Sequence, residues 1–233
     1  MSNIEIKQYL INFNHFFLYT ENPDLIGLMI ENANEFNGTV AKNDMPKGIS
    51  RDEISAQGLL FFIAGFDTTN ATLTHIFYYL IKYPEWQEKL YEELSNVNHE
   101  ELDYDKLKEL PTLNAIIDET LRLEPPLPMV DRESIEPYRI ESHGINIPKN
   151  SMISVQPYVI HRDPKYFMYP HEFKPDRFLD KSKFNDNLAA YIPFGLGPRL
   201  CVGMRFALNE LRFALANFVI NYKLAPNPNI KVN

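Results

Sequence analysis

The single cysteine of this 233-residue chain, Cys201, stands in the stretch PFGLGPRLCVGMRFA, with Gly195 and Gly197 before it, Gly203 after it and Arg199 two residues upstream. Apolar residues at helical spacing follow it (Met204, Ala207, Leu208, Leu211, Ala214, Leu215 and Phe218), so Cys201 is expected just before, or at the start of, a helix. There the positive end of the helix dipole and unpaired backbone N–H groups favour thiolate over thiol. A thiolate is either a nucleophile or a metal ligand. A nucleophile needs a base within hydrogen-bond reach, and none of the six histidines shares a recognisable cysteine-hydrolase motif with Cys201. The three glycines let the backbone take positive φ or approach a flat object closely. A buried structural cysteine in a Gly/Pro turn is the third reading.

Two further groups of residues have chemically suggestive spacing. In AGFDTT, Ala64 to Thr69, helical geometry puts Ala64 and Thr68 on one face, and a Thr hydroxyl bonding back to the carbonyl four residues earlier can bend or open a helix locally. Taken alone, Asp67-Thr68-Thr69 reads as a solvated or structural patch. In ETLR, Glu119 and Arg122 lie one helical turn apart. An isolated Glu/Arg pair at this spacing would be an ordinary surface ion pair.

Several elements must carry these residues. SRDE at Ser50 to Glu53 has the form of a capping box, and nothing breaks the helix it starts until Pro84, which gives a rod of roughly 45–50 Å. Pro84 suits the first turn of the next helix, PEWQEKLYEEL. LPTLNAIIDETLRLEPP places Leu113, Ile116, Ile117, Thr120 and Leu121 on one helical face and stops at Pro125 and Pro126. YRIESHGINIPKNSMISV reads as short strands of a small sheet, with turns at Ser142-His143-Gly144 and Pro148-Lys149-Asn150. The predicted class is mainly α with a small β-sheet.

Composition narrows the rest. Hydrophobic content of 45% with 23% charged residues is that of an ordinary globular protein, and the 17 prolines, concentrated after Pro111, predict a loop-rich second half. A net charge of -8 disfavours nucleic acid as partner. One cysteine excludes an internal disulfide and a Cys-rich zinc site. The opening MSNIEIKQYLINFNHFFLYT lacks the unbroken apolar core of a signal peptide or membrane span, and the longest apolar run, LLFFIAGF, is far short of the ~20 residues a spanning helix needs.

The cysteine loop, F-G-x-G-x-R-x-C-x-G over Phe194, Gly195, Gly197, Arg199, Cys201 and Gly203, resembles the haem-binding loop of the cytochrome P450 superfamily. AGFDTT resembles that family's oxygen-activation motif on a long helix, ETLR its E-x-x-R and PDRF its P-x-R-F segment, and all stand in the family's order. The resemblance runs from about Asp24 to Lys223, and HRDPKYF, read as structural, makes it closest to the eukaryotic microsomal branch that metabolises xenobiotics. It implies a P450-like fold with one long central helix and a Cys-ligand loop. It also implies haem b (iron protoporphyrin IX) as cofactor, with Cys201 as the axial iron ligand that donates electron density to the metal. Arg132 and Arg199 are the implied partners of the haem propionates, because a guanidinium fork suits a carboxylate. Phe194, Gly195 and Gly203 shape the loop, Ala64 and Gly65 leave room for dioxygen, and Thr68 with Asp67 and water is the implied proton relay. Glu119, Arg122 and the Arg177 of PDRF are implied to form a buried, charge-assisted cluster, structural support and not chemistry.

The implied activity is a haem-thiolate monooxygenase that takes two electrons from an NADPH-dependent flavoprotein reductase and inserts one atom of O2 into a small apolar substrate. The family's chains are about twice as long, so residues 1–233 read as a partial P450 domain, its carboxyl-terminal half, without the amino-terminal half and membrane anchor. The implied location is the cytosolic face of the endoplasmic reticulum membrane, reached only through that anchor. The alternative is a truncated, catalytically silent fragment that at most binds haem or the reductase.

Overall fold

A computed structural model describes residues Met29, 50–97, 102–179 and 189–226. The opening stretch, read as lacking an apolar span, lies outside the described residues. The chain divides into two compact units, Met1–Ala64 and Gly65–Asn233.

In the first unit the described part is chiefly the start of the long helix α1, Arg51–Lys82. The capping box forms as expected: Ser50 N donates to Glu53 Oε2 at 2.8 Å and Glu53 N to Ser50 Oγ at 3.3 Å, so each side chain satisfies the other's end of the turn. Leu59, Leu60, Phe62 and Ile63 are all exposed here.

In the second unit α1 goes underground from Thr69 onward, and its buried Ile76, Tyr79 and Leu80 enter the core. α2, Pro84–Ser95, begins on a proline whose missing N–H costs nothing in a first turn, and it buries Trp86, Leu90 and Leu94. A short helix that periodicity did not predict, α3 at Tyr104–Glu109, is capped by Asp103, whose carboxylate accepts from Lys106 N at 2.9 Å. α4, Pro111–Leu123, is the most deeply placed element: Leu113, Ile116, Ile117, Thr120 and Leu121 are all buried, as their spacing requires. Its amino end has no local cap. Glu93 of α2 supplies one from across the core, accepting from Thr112 N and Leu113 N at 2.7 and 2.9 Å.

The proline-rich region forms two separate two-stranded antiparallel ladders in place of one small sheet. β1, Val130–Glu133, pairs with β4, Met152–Val155, and β2, Tyr138–Ile140, pairs with β3, Ile145–Ile147. The predicted turns are present, with Gly144 at φ 64° and Asn150 at φ 61°, the left-handed region that Gly and Asn tolerate best. Two four-residue helices, α5 at Pro157–Ile160 and α6 at Asp176–Leu179, punctuate the remaining loops. The last helix, α7 at Met204–Asn221, returns to the core with Leu211, Leu215, Ala216 and Val219 buried. Each of the buried Leu and Val side chains contributes about 1.5–3 kcal/mol, so α7 is held by its inner face. The α+β expectation stands.

A candidate prosthetic-group loop and its supports

Burial of the α7 stripe fixes where the cysteine loop must end. Gly203 is the N-cap of α7, and Cys201 stands two residues before it, so the thiol sits where the sequence placed it. A short hairpin closes the loop: Cys201 N donates to the Phe194 carbonyl at 3.0 Å and Gly195 N to the Ile192 carbonyl at 3.1 Å. Between these bonds the chain turns through Gly195 at φ 80° and Gly197 at φ 75°, then a 3-10 turn over Gly197–Arg199. Two of the three glycines are therefore required by backbone conformation. Gly203, at φ -86°, is not; it serves as the N-cap of α7, a position glycine suits, and a Cβ there would meet nothing within 4 Å.

Cys201 is exposed, and its sulfur has no hydrogen-bond partner among the described residues. Without a base on the sulfur, the nucleophile reading gains nothing. No three His, Cys, Asp or Glu side chains converge to hold a metal among the described residues, and a metal on the one thiolate of Cys201 is best served by a group that carries its other ligands itself. A macrocycle does that. The loop fits one: a Cβ built on Gly195, Gly197 or Gly203 would meet nothing within 4 Å, and Leu196, Leu200 and Val202 present an exposed apolar rim. Phe194 is half-buried and packs on the main core, tying the loop's stem to α7 and its neighbours.

Arg199 is exposed and has no side-chain hydrogen bond among the described residues, so its guanidinium is available to a carboxylate. Arg132, on β1, is also exposed; its Nη1 donates to the adjacent Asp131 carbonyl at 2.7 Å. No described bond joins either arginine to Cys201.

On α1, Ala64 is exposed at the end of the first unit, while Gly65, Asp67 and Thr68 open the second. Asp67 is exposed and Thr68 half-buried. The helix runs unbroken through these residues, and Thr72 Oγ1 donates to the Thr68 carbonyl at 2.9 Å. The rings of Phe77 and Phe218 meet with centroids 4.6 Å apart, joining α1 to α7. Eight residues before each ring, about 12 Å back along each axis, stand Thr69 and Glu210. The Thr69 hydroxyl is buried beside the Glu210 carboxylate without a hydrogen bond of ordinary geometry. Burial raises the Glu210 pKa above the usual carboxylate value, and the nearby hydroxyl offsets part of that. Sequence reasoning missed this pair, because no local spacing links positions so far apart in the chain.

Glu119, Arg122 and Arg177 do come together. Glu119 and Arg122 are fully buried, with Arg122 Nε to Glu119 Oε2 at 2.7 Å and Nη2 to Oε1 at 2.9 Å. Arg177 Nε lies 3.1 Å from the same carboxylate, and Lys174 N donates to it at 2.7 Å. The other Arg122 N–H groups go to the carbonyls of His161, Pro170 and Glu172 at 2.7, 2.8 and 3.1 Å. The surface ion pair that this spacing would ordinarily give is excluded by the burial. The cluster ties α4 to the loop between α5 and α6 and, through Arg177, to α6 itself.

Comparison with known proteins accords with this geometry. A family profile described as Cytochrome P450 matches residues 6–233. Cytochrome P450 3A29 of Sus scrofa is 38% identical over 205 residues, which cover 87% of this chain and 39% of that protein. Cytochrome P450 3A5 of Homo sapiens is 37% identical over 207 residues and Cytochrome P450 3A9 of Rattus norvegicus 36% over 205, each with the same two coverages. The chain thus spans about 39% of the length of these relatives. With the chain matched by that profile from residue 6 to residue 233, it belongs to the cytochrome P450 family, whose cofactor is haem b.

Proposed function

We propose that this chain carries the thiolate half of a haem monooxygenase centre, with Cys201 as the axial ligand. The observation that supports this most is the exposed Cys201 thiol, without a partner among the described residues and held between left-handed Gly195 and Gly197 and the first turn of α7. Haem bound through a thiolate supplies the redox chemistry: two electrons and two protons are consumed, one atom of O2 enters a C–H bond and the other leaves as water.

The chain's own residues have narrower tasks. Arg199 and Arg132 hold carboxylates by charge-assisted hydrogen bonds, for which both guanidinium groups are exposed. Gly65 and Gly203 leave space that a side chain would fill. Asp67 and Thr68 hold and pass protons on the α1 side, Asp67 from solvent, where it is exposed, and Thr68 from its half-buried hydroxyl. Glu119, Arg122 and Arg177 hold the scaffold and take no part in the chemistry.

The proposed electron donor is an NADPH-dependent flavoprotein reductase and the proposed substrate a small apolar molecule. The proposed location is the cytosolic face of the endoplasmic reticulum membrane. No described helix is long and apolar enough to cross a membrane, so α1, the longest, is not the anchor. The test is turnover of the haem-loaded protein with NADPH, reductase and a panel of apolar substrates under isotopically labelled dioxygen. One labelled oxygen per product molecule is expected; unlabelled product would overturn the monooxygenase reading.

A further inference from the structure

His161 is fully buried, and both ring nitrogens are engaged. Ile192 N lies 2.9 Å from Nε2, and a backbone N–H can only donate, so Nε2 is the acceptor. The ring is therefore neutral with its proton on Nδ1, which donates to the Arg122 carbonyl at 3.1 Å. The contact is reciprocal, since the His161 carbonyl accepts from Arg122 Nη1 at 2.7 Å.

Ile192 is itself the foot of the cysteine loop. Its carbonyl accepts from Gly195 N, and the Phe194 carbonyl from Cys201 N. An unbroken set of short links therefore runs from the α4 backbone at Arg122, through the imidazole, to Ile192 and on to Cys201. A second tie runs beside it: Tyr191 donates its hydroxyl to Asp118 Oδ1 of α4 at 3.0 Å and lies against the His161 ring at 5.5 Å. Phe167 also meets the His161 ring, edge to face at 6.1 Å. Without His161 the buried Ile192 N–H loses its acceptor in a place water does not reach, and the loop's stem has reason to move.

We propose that His161 is a positioning residue for Cys201, its neutral imidazole fixing the foot of the cysteine loop at a set height above the Glu119–Arg122 cluster. The consequence for haem rests on the reading of Cys201 as ligand; the consequence for the loop does not.

Two measurements on the full chain separate these. Hydrogen exchange on the haem-free protein should show the Ile192, Gly195 and Cys201 amides exchanging about tenfold faster in His161→Phe, the weight of one lost hydrogen bond, while α4 amides stay protected. His161→Gln, whose amide oxygen can accept from Ile192 N, should restore most of the protection. On haem-loaded protein, His161→Phe should shift reduced, CO-bound absorbance from the long-wavelength thiolate band toward the shorter-wavelength form, and His161→Gln should not.

A folded His161→Phe with unchanged loop exchange overturns the proposal. Loop exchange that depends on His161 in a protein without a thiolate band upholds the positioning and overturns the ligand reading instead. If His161→Phe does not fold, the 15N resonances of wild-type His161 decide: the Nδ1–H tautomer upholds the proposal and the Nε2–H tautomer overturns it.

Discussion

Arg122 Nε donates to Glu119 Oε2 across 2.7 Å with neither side chain exposed to solvent. Every N–H of that guanidinium is used, two on the carboxylate and three on the carbonyls of His161, Pro170 and Glu172. Removing one partner of such a pair leaves a buried charge uncompensated, which is far costlier than losing a pair in water.

Arg122→Ala should therefore destabilise the fold by about 3–5 kcal/mol in denaturant unfolding. Arg139→Ala, which removes an exposed pair with Glu141, should cost under about 1 kcal/mol. Equal effects at the two sites would contradict the account of the cluster.

The loop glycines should divide by backbone conformation. Gly195→Ala and Gly197→Ala force a Cβ into the left-handed region and should each cost about 1–2 kcal/mol, though neither Cβ would clash with a neighbour. Gly203→Ala should leave the stability of the haem-free chain within about 0.5 kcal/mol but speed haem loss, since its Cβ enters the space assigned to the macrocycle. Unfolding curves and haem-transfer rates check both. Unimpaired haem retention in Gly203→Ala would remove the close-approach argument.

Acid should weaken the protein through His161. Burial, followed by repulsion from Arg122 and Arg162, lowers its pKa from 6.5 to about 4, against the opposing pull of the Arg122 carbonyl. Between these values the unfolded chain binds a proton that the folded chain excludes, so stability rises with pH across that window and falls as pH drops through it. The loss below about pH 4 amounts to roughly 3 kcal/mol. Unfolding free energies at several pH values, compared between wild type and His161→Gln, isolate this contribution. Identical pH slopes for the two proteins would show that His161 does not titrate as stated.

Thr68→Ala should keep haem, because the backbone bonds that close the cysteine loop, Cys201 N to the Phe194 carbonyl and Gly195 N to the Ile192 carbonyl, do not involve Thr68, and should divert reducing equivalents to peroxide. The ratio of peroxide formed to product formed, measured with reductase and substrate, should rise severalfold. Undisturbed coupling in that variant would refute the relay role.

What could be read from the sequence was local. Ser50 and Glu53 announced α1 and Pro84 ended it, because a capping box and a helix-breaking ring act within one turn. The α4 face from Leu113 to Leu121 was legible from spacing alone. Glu119, Arg122 and Arg177 were legible as a cluster only through the resemblance, since nothing local distinguishes a buried Glu/Arg turn from a solvated one. The contacts that escaped notice are long-range: Glu93 capping α4 from 19 residues away, β1 pairing with β4 instead of joining β2, and the His161 ring bridging positions 39 and 31 residues distant. Tertiary packing selects such partners, and no periodicity records them. α3 escaped for a different reason, being too short at six residues for periodicity to register.

The most direct test of the central claim is the carbon monoxide difference spectrum of the reduced, haem-loaded protein, taken for wild type and Cys201→Ser. Thiolate ligation places the band at distinctively longer wavelength than histidine ligation does. The account predicts that band in wild type and its loss in Cys201→Ser; a spectrum unchanged by the substitution, or no such band from folded wild-type protein, would contradict it.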